Sequence, residues 1–148
     1  VRAPDRIGRT VLVSTAPSFP APARALMRPA GPEAQDAAAW AEMRRKHPGG
    51  DDQVRALFRA ACELDRSDVD LSPSELGRIR RECLVVHGDA DPFYPMALVA
   101  EMRRAIPRGW LWALPWEGHC PIFGEKAARF REASLAFLTA PATLRRGA

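Results

Sequence analysis

With 148 residues, 47% of them hydrophobic and 27% charged, the chain is long enough for one packed domain and too apolar to be disordered. Its uninterrupted apolar runs are only a few residues long, which excludes a membrane span, and no basic–apolar–small pattern opens it as a signal peptide would. The net charge of +4 comes from 22 Lys+Arg against 18 Asp+Glu, with arginines scattered singly and in pairs such as Arg44-Arg45 and Arg103-Arg104. Without a stripe of basic and aromatic residues, nucleic acid is not the expected partner.

The first predicted element is a strand, Thr10–Thr15 (TVLVST), apolar and β-branched nearly throughout. A long stretch, Ala16–Ile79, separates it from the next strand. Its first third carries Pro17, Pro20, Pro22, Pro29 and Pro32 and is expected to be irregular. Val54, Leu57, Phe58, Ala61 and Leu64 then recur at helical spacing and predict a helix over Asp52–Asp65. Ser72-Pro73-Ser74-Glu75 is a capping box with proline at the first helical position, so a short helix should run to about Ile79.

A second buried-type strand follows at Cys83–His87 (CLVVH), a helix at Met96–Ile106, a third strand at Trp110–Leu114 and a last helix at Glu125–Leu138. Strands alternating with helices imply βαβ units and a parallel sheet. The division expected is an α/β core from 1–15 and 80–140, a helical insertion over 16–79, and a polar tail over 141–148. Three parallel strands would leave an apolar edge unpaired, which native proteins avoid. Further strands upstream of Val1, or self-association through that edge, are the expected resolutions, and a first residue other than Met fits the former.

Cys62, Cys83 and Cys120 lie far apart with no CxxC, which argues against a disulfide framework or a thiolate zinc site and suits a reducing, cytoplasmic setting. His87, Asp89, Asp91 and His119 have metal-ligand chemistry but lack the second close histidine that most such sites use. No metal or other cofactor is expected.

Two polar clusters stand out. His87-Gly88-Asp89-Ala90-Asp91-Pro92-Phe93-Tyr94-Pro95 follows the second strand, and Glu117-Gly118-His119-Cys120-Pro121 follows the third. Both fall at the carboxyl edge of a parallel sheet, where open α/β folds bind ligands. From Pro95 a helix descends about 18 Å. The strand from Trp110 climbs back about 16 Å, so the two loops should face each other. A carboxylate there can accept the Nδ1–H of His119 and leave Nε2 as a general base. Asp91, stiffened by Pro92, is favoured for that carboxylate over Asp89, which follows Gly88 and suits the turn's own N–H groups. Phe93, Tyr94 and Trp116 flank the pair in sequence and are candidate walls of a substrate pocket. Trp110 and Trp112 share one face of a strand and are expected in the core, and His87 is expected in the core or the turn rather than as a ligand.

A strand ending in HGDxDPxxP, a helix, a strand, then Gly-His and a final helix resembles the C-terminal half of the α/β-hydrolase fold. The segment Pro4–Ser14 is similar to the one that in this family follows the nucleophile helix and enters the next strand. The resemblance implies that Asp91 is the triad acid, His119 the triad histidine, and 16–79 the helical lid. It also places a Gly-x-Ser-x-Gly nucleophile elbow before both, and the 148 residues contain none. Ser14 lacks the strained elbow, and Cys120 adjoins His119 too closely in sequence to pair with it, so both are expected to be structural.

The function implied is hydrolysis of an ester-like bond in a small apolar molecule by Ser-His-Asp chemistry, the nucleophile lying outside this chain and the chain alone being inactive. Two alternatives stay open. One is a haloalkane dehalogenase or epoxide hydrolase with aspartate in the serine's place. The other is a non-catalytic α/β module used for binding or dimerisation.

Overall fold

The structure, a computed structural model, describes residues 6–27, 33, 35–67 and 70–141, with the backbone alone at Met27, Cys62 and 64–67. The tail expected beyond Pro141 and the start of the Pro4–Ser14 segment lie outside the described residues. The chain forms two compact units, Val1–Pro17 with Leu71–Ala148, and Ser18–Asp70.

In the first unit, β1 (Thr10–Val13), β2 (Cys83–Gly88) and β3 (Gly109–Leu114) pair in parallel, in that order. Thr10 lies opposite Cys83, and Cys83 opposite Gly109. All six residues of β2 are buried, as a central strand covered on both faces requires. Alternation along the strands divides the core. Cys83 and Val85, with Leu12 and Leu111, meet Leu76, Val99, Met102 and Ile106. Leu84, Val86 and Leu114, with Val11, Val13, Trp110 and Trp112, meet Phe130 and Phe137. The first face is thus covered by α4 (Pro73–Leu76) and α5 (Met96–Ala105), the second by α6 (Ala127–Thr139). Burial pushes the Cys83 thiol up to about 11, which makes it an inert core side chain.

Several boundaries differ from expectation for local reasons. β1 stops at Val13 because Ser14 takes a φ of 43°, which turns the chain out of the sheet. The Ser72 capping box forms, but α4 ends at Leu76 because Gly77 and Arg78 make a turn. Leu76 and Ile79 nevertheless pack in the sheet's core, so this part of the 16–79 stretch belongs with the sheet. A 3-10 turn, Gly124–Lys126, precedes α6. At the sheet's other end, Arg9 bonds Glu82 and the carbonyls of Ala140 and Pro141.

The second unit holds α1 (Ala21–Met27), α2 (Ala37–Lys46) and α3 (Gly50–Ser67). Over Ala21–Met27 the helix corrects the expectation of an irregular segment, while Pro29 and Pro32 lie outside the described residues. Pro22 sits in the first turn of α1, where no N–H is needed, and the Pro20 carbonyl accepts the Arg24 N–H at 3.1 Å. Asp36 caps α2 by accepting the Ala39 N–H. Trp40 and Phe58 join α2 to α3 with ring centroids 6.3 Å apart, and the guanidinium groups of Arg44 and Arg55 lie over Trp40. Where this segment leaves and rejoins the first unit, the Leu71 N–H donates to the Pro17 carbonyl at 2.9 Å. Among the described residues no helix is long and apolar enough to cross a membrane.

Candidate active site

Three parallel strands end at one edge, and the loops leaving them carry the polar clusters. Asp91 follows β2 by three residues, and its side chain is fully buried. Its Oδ1 accepts the backbone N–H groups of Phe93 at 2.8 Å and Tyr94 at 3.2 Å, which fixes the carboxylate against its own turn. Its Oδ2 lies 2.9 Å from His119 Nδ1. A carboxylate oxygen accepts there, so Nδ1 carries the proton and Nε2 is left as an acceptor. The His119 side chain is 35% exposed, and among the described residues nothing bonds its Nε2. Asp89 stands in the turn, exposed, its N–H donated to the Leu114 carbonyl.

Two rings lie beside the imidazole. The Phe93 centroid is 4.7 Å from that of His119 and the Tyr94 centroid 5.8 Å, both tilted. Burial, helped by the neighbouring Asp91 carboxylate and the Cys120 thiol, raises the Tyr94 phenol above its ordinary value. Trp116 is placed differently. It occupies the turn after β3 with a φ of 60° and is 89% exposed.

The two loops are held together by backbone as well as by the side-chain pair. The Ala90 N–H donates to the Glu117 carbonyl at 2.9 Å. Gly88 ends β2 directly under the histidine loop, where an added Cβ would sit on the carbonyl oxygens of Glu117 and Gly118. Only glycine allows that approach. Ser14 completes the bracing. Buried and turned by its positive φ, it accepts the Cys120 N–H on Oγ at 2.8 Å, tying the histidine loop to the end of β1. In the sequence Ser14 reads as structural, Gly88 as a turn glycine and His87 as a core or turn residue. The available signal was a histidine and a glycine closing an otherwise apolar strand just before Asp-x-Asp. Among the described residues, no group of three or more His, Cys, Asp or Glu side chains is gathered to hold a metal ion.

The parallel sheet and the helices on its two faces match solved structures. The chain is similar to a serine hydrolase of the polyaromatic-hydrocarbon-degrading bacterium Cycloclasticus zankles, at TM-score 0.69 and 23% identity over 92% of this chain and 56% of that one. The fold is that of the α/β-hydrolases. A meta-cleavage product hydrolase of Pseudomonas fluorescens IP01 matches at TM-score 0.63 and 18% identity, over 92% of this chain and 57% of its own. The carboxylesterase of Bacillus subtilis matches at 0.57 and 17%, over 95% and 54%. The α/β-hydrolase fold here therefore spans little more than half the length of these structures. No family model and no curated protein matches the sequence.

Proposed function

We propose that the chain carries the acid and the histidine of a serine-type acyl hydrolase, with the nucleophile supplied by upstream sequence. The supporting observation is the buried Asp91 carboxylate on His119 Nδ1, with Nε2 unbonded among the described residues and the His119 side chain partly exposed. The order of acid then histidine, and neighbours named as hydrolases and a carboxylesterase, favour the same reading.

In this mechanism His119 Nε2 takes the hydroxyl proton of the nucleophile as its oxygen attacks the substrate carbonyl. The imidazolium so formed is stabilised by Asp91, which stays ionised. His119 then returns the proton to the departing alkoxide, and an acyl-enzyme remains. Water repeats the sequence, giving its proton to Nε2 and releasing the acid. Phe93 and Tyr94 lie beside the His119 ring, and aromatic side chains there suit ester-like bonds in a small apolar molecule. The helical segment Ser18–Asp70 stands, in chain order, where the family has its lid.

The test is a version extended upstream, assayed on p-nitrophenyl esters. Asp91→Asn should lower kcat by about 10^4-fold and His119→Ala by about 10^6-fold. Turnover by the 148-residue chain alone, lost on changing Ser14 or Cys120, would overturn the assignment. An aspartate in the upstream elbow moves the reading to dehalogenase or epoxide hydrolase chemistry, and no elbow at all moves it to a binding module.

A further inference from the structure

The Asp91–His119 pair has a third member in contact. His87, next to last in β2, is wholly buried. Its Nε2 lies 2.9 Å from the Tyr94 carbonyl, which can only accept, so Nε2 carries a proton. In the neutral ring Nδ1 is then a bare lone pair, and it has no hydrogen-bond partner among the described residues. Its nearest charged neighbour is Asp91 Oδ2 at 3.7 Å, beyond hydrogen-bond reach. That is the oxygen on which His119 Nδ1 rests.

We infer that His87 is a positioning residue for the pair, a tautomer-locked imidazole that clamps the acid's turn while offering Asp91 no competing donor. The inference rests on the proposed Asp91–His119 reading. Tyr94 is gripped from both sides, its N–H by Asp91 Oδ1 and its carbonyl by His87 Nε2–H. The turn is thereby closed into a ring that sets the direction of the carboxylate. A buried nitrogen left unpaired is destabilising, and an apolar side chain of similar shape would avoid it. A donor at the Nδ1 position would bond Oδ2 and divide the carboxylate between two imidazole-side partners. A lone pair there repels Oδ2 instead and leaves it to His119.

Long-range 15N–1H spectra of the whole labelled chain at neutral to mildly alkaline pH read which ring nitrogen holds the proton. The native chain should show His87 as the Nε2–H tautomer and His119 as Nδ1–H. His87→Gln, whose amide reaches the Nε2 position, should keep His119 in that form. His87→Phe removes the clamp, and His87→Asn places an amide donor near Oδ2. Both should make the Nδ1–H form of His119 the minority species. A native His87 protonated on Nδ1 overturns the inference without any variant, so a misfolded His87→Phe leaves it testable. A His119 tautomer that His87→Phe and His87→Asn leave unchanged also overturns the inference and would make His87 a packing residue. A native His119 that is not Nδ1-protonated, or that ignores Asp91→Asn, overturns the parent reading instead.

Discussion

The sheet unit and the helical unit are built on different terms. Around β2, buried aliphatic side chains fill both faces, and every residue of the strand is out of solvent. Among the described side chains of the helical unit, Ala23 and Val54 are buried, while Trp40 and Phe58 remain half-open and are dressed by arginines. The first arrangement fixes geometry by packing, where small changes in volume are felt. The second relies on exposed ion pairs and cation–π contacts, which contribute little each. The Asp91–His119 pair sits on the first.

That contrast is sharpest at Gly88. Gly88→Ala should cost about 3 kcal/mol or more, since backbone carbonyls cannot move aside as a side chain can. It should also abolish the Asp91–His119 bond. Urea unfolding and the His119 imidazole resonances check both, and a neutral outcome breaks the account of how the two loops meet. Next comes a matched truncation. Ile106→Ala in the sheet core should lose about 2–5 kcal/mol. Phe58→Ala should lose about 1–2 kcal/mol, because its ring already faces water in part. Equal losses, followed by hydrogen exchange in each unit, would erase the distinction.

The smallest effect is electrostatic. Hydrogen bonds from Arg45 and then Lys46 hold the Glu42 carboxyl at about 2, below its ordinary 4.5. A depressed acid stabilises the fold fully above its unfolded value, so this contribution fades as pH falls from 4.5 toward 2. Glu42→Gln should flatten that limb of the helical circular-dichroism signal slightly, and salt should do the same.

The parts legible in the sequence were those written in periodicity and local chemistry. Apolar runs, β-branched in the first two, marked three parallel strands, and Ser72 with Glu75 marked a helix start. The facing of Asp91 and His119 followed from element lengths alone. What escaped was set by contacts between distant segments. Ser14 reaches Cys120 across 106 positions, and its left-handed turn has no signature in TVLVST. Asp91 rather than Asp89 serves the turn's N–H groups as well as the histidine, because burial selects it. The prolines near Ala21 suggested irregular chain, but Pro22 falls where a helix tolerates it.

The hydrogen bond from Leu71 to Pro17 shuts the neck of the helical segment, so its two ends leave the sheet side by side. Joining points so close cost little entropy to bridge, whatever is strung between them. The segment is in that sense a cassette. A short glycine-rich linker, or a differently shaped helical pair, grafted at Pro17 and Leu71 should leave the strands in register.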